Sequence, residues 1–185
     1  MVSIAALWLP ILISAVLVFI ASSLIHMLLG YHRADYGKLA EEDKVMDALR
    51  GFSIPPDEYL VPCPGKEGPY AKDFVEKRKK GPVLMMTVFP SGDMGMGKQL
   101  TMWFIFCIVV GVFVAYVDTL ALALGAPYRA VFHLSSVVAF VCYGMALWEI
   151  SIWYRRKWGT TLRSNIDALI YALLTAGTFG WLWPR

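Results

Sequence analysis

Several groups of side chains in this sequence have the types and spacing that chemistry would need. The first is Gly92-Asp93-Met94-Gly95-Met96-Gly97-Lys98, which fits G-x-x-x-x-G-K, follows a candidate strand and opens a helix. In such a loop backbone N–H groups cradle a phosphate and the lysine neutralises it. Gln99 stands where a magnesium-holding Ser or Thr would be, however, and the hydrophilic stretch around it is too short for a parallel sheet with a second acidic strand. A flexible glycine-rich lead into the next helix is the expected role, with Gly97 and Lys98 holding a lipid phosphate as its narrower functional form.

Histidines come next, because two of them in a membrane can ligate one haem iron. His26 falls about a turn from one end of the first apolar stretch and His133 about a turn from the opposite face in the third. At 1.5 Å per helical residue they stand roughly 15 to 20 Å apart in depth, against about 4 Å for ligands of one iron. His26 and His32 are six apart, which directs them away from each other on one helix. Met85, Met86, Met94, Met96 and Met102 could suggest Cu(I), but no Cys or His lies close to them in sequence, so apolar packing is expected. Cys63, Cys107 and Cys142 form no C-x-x-C pair. No nucleophile stands beside a base, so the sequence predicts no cofactor, no metal and no catalytic residue.

Ionisable groups within apolar stretches are functional candidates by default. Asp167 follows Ser164 by three, which reads as a capping box with Asp167 in the first helical turn. Glu149 shares a helical face with Ser135, Cys142 and Ala146, while His133, Ser136 and Tyr143 lie on another. By depth these groups form two clusters. A cytoplasmic one contains His26, His32, Arg33, Glu149, Arg155, Arg156 and Asp167; a periplasmic one contains Asp118, Arg129 and His133. Both lie near the interfaces rather than at the midplane where a transporter gates, so ion pairs fixing helix ends are the expected role.

The elements that must position these groups are membrane helices. Of the 185 residues 58% are apolar and the mean hydropathy is +0.56, more than a soluble core of this size needs. Stretches 3–29, 100–124, 129–153 and 165–183 are each long and apolar enough to cross a hydrocarbon layer of about 30 Å. The fold expected is all-α: four transmembrane helices, with a small mixed segment over 31–98. The first stretch lacks a basic leader and is too long for a signal peptide, which predicts a retained helix. In the hydrophilic segment, Leu39 to Arg50 and Pro69 to Lys80 read as short helices, and Tyr59 to Val61 and Val83 to Phe89 as strands.

Charge sets the orientation. The basic turn of Arg155, Arg156, Lys157 and Arg163 and the 31–98 segment fall on one side, which the positive-inside rule makes cytoplasmic, with both termini periplasmic. The seven tryptophans all fall near helix ends, as headgroup anchors do. Small residues at four-residue spacing mark packing ridges: Cys107, Gly111, Ala115, Thr119 and Ala123 on the second helix, Ala168, Ala172, Ala176 and Gly180 on the fourth. These ridges are expected to meet other helices of the chain or a partner. The hydrophilic segment is close to neutral, with eleven basic and eleven acidic residues between 33 and 98, which argues against nucleic acid.

The stretch Tyr31-His32-Arg33-Ala34-Asp35-Tyr36-Gly37-Lys38-Leu39, the run from Gly81-Pro82-Val83 to Gly97-Lys98, and the ending Ala172 to Pro184 resemble a group of bacterial four-helix integral membrane proteins of unassigned function. The resemblance implies fold and membrane location and carries no catalytic residues. The leading expectation is an accessory or structural subunit of a larger bacterial inner-membrane complex, with lipids and other membrane subunits or further copies of itself as partners. A small homo-oligomeric transporter or channel comes second, and a membrane enzyme with its site at the cytoplasmic face third.

Overall fold

The computed structural model describes residues 2–92 and 95–185. These divide into two units, Met1–Gly37 with Gly95–Arg185, and Lys38–Met94. The protein is an all-α membrane protein with a minor sheet.

The first unit is a helical bundle. Helix α1 (Trp8–Leu24) continues through a π turn, Ile25–Leu29, and a 3-10 turn follows at Tyr31–Asp35. Helix α4 (Gly97–Ala121) is followed by α5 (Tyr128–Phe140), a second π turn at Val141–Met145, α6 (Leu147–Tyr154) and α7 (Trp158–Leu182). The second unit holds α2 (Glu42–Arg50), α3 (Lys72–Lys80) and an antiparallel ribbon of β1 (Glu58–Val61) and β2 (Leu84–Thr87), in which Glu58 faces Thr87 and Val61 faces Leu84.

Three helices are long and apolar enough to cross a membrane: Ile4–Leu29, Gly97–Ala121 and Tyr128–Tyr154. Helix α7 equals α4 in length at 25 residues, but it carries the polar side of the core. Its buried face presents Thr160, Thr161, Asn165, Asp167, Thr175 and Thr178 beside Ala168, Ala172 and Ala176, and α1 and α5 pack against it. Polar groups are tolerated there because helical neighbours, not lipid, surround them. Its charges and hydroxyls dilute the apolar signal that length alone would give.

Both small-residue ridges are used inside the bundle. Gly111 lies so near α1 that a Cβ would sit 3.1 Å from Ile11 Cγ2, and a Cβ at Gly180 would meet the Tyr128 ring at 2.8 Å. Cys107, Ala115, Thr119, Ala168, Ala172 and Ala176 are buried, and only Ala123 is exposed. Three tryptophans expected as headgroup anchors also tie elements together: Trp103 donates to Ser22 Oγ, Trp148 to Asn165 Oδ1 and Trp183 to the Ala123 carbonyl.

The capping-box reading of Ser164 and Asp167 fails. Helix α7 begins at Trp158, so both residues lie in its interior. The face assignment of the third membrane helix fails as well, because the π turn adds a residue and shifts the register between α5 and α6. Ser135 and Tyr143 turn inward, whereas Glu149 and His133 point outward.

Candidate functional site

The site begins where α1 stops. Gly30 takes φ +63°, which a residue without Cβ adopts freely, and a side chain there would also crowd Arg33 Nε at 3.1 Å. After this reversal His32 lies against His26, ring centroids 4.5 Å apart and nearly perpendicular, and the Tyr31 ring packs on His32 at 4.3 Å. The expected divergence of His26 and His32 assumed one continuous helix. The π turn and Gly30 remove that assumption.

Helix α7 supplies the other half. Arg163 and Asp167 are one turn apart and share a face. His32 Nδ1 is 2.7 Å from Asp35 Oδ2 and His32 Nε2 is 2.7 Å from Asp167 Oδ2. Arg163 donates to Asp35 Oδ1 through Nε at 2.8 Å and through a second guanidinium N–H. Burial opposes ionisation of Asp35, but hydrogen bonds from His32 and Arg163 outweigh it and hold its carboxyl below the ordinary carboxylate range. Asp35, clamped by Arg163, accepts the Nδ1–H of His32, and one proton is shared across the Nε2–Asp167 contact.

One face of this hub is unsatisfied. Asp167 Oδ1 and the Tyr171 hydroxyl are buried without hydrogen-bond partners among the described residues. Both residues line a cavity of about 330 Å³, with Trp103 and Phe106 of α4, Cys142 and Tyr143 of the second π turn, and His26. A second cavity, of about 260 Å³, lies along α1 and α4 between Ser22 and Gln99, and His26 borders it too. The two π turns thus present His26 from one side and Cys142 with Tyr143 from the other. Such turns widen a helix by one residue and re-aim side chains, and they recur at functional sites. Chemically the site offers two imidazoles, a carboxylate and a phenol beside a cavity walled in part by Trp103, Phe106 and Tyr143. His26, His32 and Asp167 each place one ligand-type atom within 4.8 Å of the others.

The remaining candidates do not converge here. Arg33, Glu149 and Arg155 are exposed, Arg156 is half-buried, and among the described residues none of the four forms an ion pair. At the opposite end of the bundle Asp118 is fully buried and accepts a hydrogen bond from Ser135 Oγ at 2.5 Å, while Arg129 and His133 are exposed and take no part. Gly97 and Lys98 are exposed at the start of α4, and Asp93 and Met94 of the glycine-rich run lie outside the described residues. Sequence reasoning missed Asp35 because it sits in a hydrophilic stretch, and Arg163 because it was counted with the basic turn. The spacing His32-x-x-Asp35 was the available signal, since residues three apart meet within a tight turn.

No family model matches the chain, and no curated protein or solved structure does either.

Proposed function

We propose that the chain is a four-span membrane protein that works as a membrane enzyme, with its centre at His26, His32 and Asp167 on the cytoplasmic face, acting on the polar head of a bilayer-borne amphiphile. The observation that carries this reading is the convergence of two imidazoles and a carboxylate at the mouth of an aromatic chamber within the helices. The chamber suits an apolar body, and the unpartnered Asp167 Oδ1 and Tyr171 hydroxyl suit a head that both donates and accepts hydrogen bonds. His26, with no hydrogen bond among the described residues, is the group free to accept or deliver a proton.

Lipid profiles of cells producing the native chain, the His26→Gln variant or no protein test this. The native chain should change at least one lipid species relative to cells without it, and His26→Gln should leave the profile unchanged. Identical profiles for the native and variant chains would remove the reading. Orientation has its own test, because Cys63 is exposed in the hydrophilic unit. A membrane-impermeant maleimide should label it in inside-out vesicles and not in intact cells.

The accessory-subunit reading keeps one supporting observation. Among the described residues of the hydrophilic unit only Phe74 is a buried apolar side chain, while Phe52, Tyr70 and Phe89 are exposed. A unit with so little core gains stability from a membrane surface or a partner. Native mass spectrometry from mild detergent should then show a stoichiometric second chain; a partner-free monomer would count against it. The small-residue ridges no longer support this reading, since the bundle itself covers them.

A further inference from the structure

We infer that His26, His32 and Asp167 form a site for one divalent first-row transition-metal ion, with Asp35 as the residue that positions His32. The inference rests on the same cluster as the proposed activity, but makes a separate claim about what the cluster holds.

Three observations carry it. The ligand set is two imidazole nitrogens and one carboxylate oxygen, all within 4.8 Å of one another, the N2O donor set that suits zinc and iron(II). Around a tetrahedral ion with bonds of about 2.1 Å the ligand atoms stand roughly 3.4 Å apart. His32 Nε2 and Asp167 Oδ2, now 2.7 Å apart, would open slightly, and His26 would close in, movements within reach of side-chain torsions. Second, Asp35 accepts from His32 Nδ1 and is itself clamped by Arg163. That fixes the ring and aims Nε2 at the site, the arrangement by which a carboxylate orients a metal-bound histidine. Third, Asp167 is 3% exposed and its Oδ1 has no partner among the described residues, so a buried carboxylate oxygen is left for a ligand to satisfy.

The metal takes the place of the proton between His32 Nε2 and Asp167, and His32 keeps its proton on Nδ1 for Asp35. Three protein ligands leave at least one coordination position, and because both His26 and Asp167 line the 330 Å³ cavity, that position faces it.

The test uses the full chain in detergent, stripped with chelator and titrated with Co²⁺ and then Zn²⁺. One equivalent of Co²⁺ should give visible d–d absorption, and one equivalent of Zn²⁺ should abolish it. His32→Ala and Asp167→Asn should lose the signal. His26→Gln, which leaves the ion-paired hub intact, should weaken binding at least tenfold, and Asp35→Asn should weaken it by about 10- to 100-fold. His133→Ala should bind as the native chain does. An absence of stoichiometric binding by the folded native chain, or undiminished binding by His26→Gln together with Asp167→Asn, would overturn the site. Altered lipids without metal binding would leave the proposed activity standing and end this inference; metal binding without altered lipids would do the reverse.

Discussion

At one end of the helical unit Asp167 shares His32 with Asp35, which also holds Arg163; at the other, Asp118 accepts one hydrogen bond, from Ser135. Asp167 and Asp118 are both buried, and each keeps one oxygen without a partner among the described residues. The difference lies in what surrounds them. The first end gathers His32 and Asp35 from the turn after α1 and Arg163 from α7 and borders a cavity, whereas the second offers a single hydroxyl and leaves Arg129 and His133 outside. Depth in the membrane predicted two comparable clusters. Depth says how far along the normal a group lies, but not which way it points, and direction separates these two ends.

The largest effect that would sharpen this comparison is expected at Asp35. Replacing it with Ala strands both His32 and Arg163 and should destabilise the bundle by about 3 kcal/mol, measured by reversible unfolding in mixed micelles. A loss under 1 kcal/mol would mean the hub is a loose surface pairing. Next comes Gly144→Val, where even a Cβ would lie 3.0 Å from both Ala168 Cβ and Asn165 Oδ1. Overpacking between the third membrane helix and α7 should cost about 2 kcal/mol and push α7 away from the hub. At the far end Ser135→Ala removes the one hydrogen bond to Asp118 and should cost about 1 kcal/mol. Asp118→Asn, which keeps an acceptor for Ser135 at a site where, among the described residues, no counter-ion stands, should stay within about 1 kcal/mol of the native chain. The smallest effect, about 0.5 kcal/mol or less, is expected for exposed His133→Ala. If Asp118→Asn proved as damaging as Asp35→Ala, the contrast between the ends would collapse.

The membrane class, the apolar stretches and the packing glycines were legible in the sequence because they depend on local composition and four-residue spacing. Helix α7 was harder to delimit. Its first two turns, Trp158 to Asn165, look like a polar loop followed by a cap, yet Thr160, Thr161 and Asn165 are buried, with Thr161 bonded to Ser151 and Asn165 receiving the Trp148 N–H. Tertiary contacts make that stretch helical, and composition does not report them. The site depended on two departures from the regular helix, the π turns at Ile25–Leu29 and Val141–Met145. Each displaces every later side chain by about 100° of the helical wheel, so periodicity placed His32 away from His26 and grouped Tyr143 with His133. Gly30 was the visible clue to the break after α1, and the pairing of His32 with Asp35 was the visible clue to the tight turn at Tyr31–Asp35.

Both the proposed activity and the metal site require that His32 and Asp167, 135 positions apart, act on each other. A double-mutant cycle of His32→Ala and Asp167→Ala, read by unfolding in mixed micelles, measures that directly. A coupling of about 2 kcal/mol is the expected result. Additive losses, with coupling near zero, would contradict the hub and everything built on it.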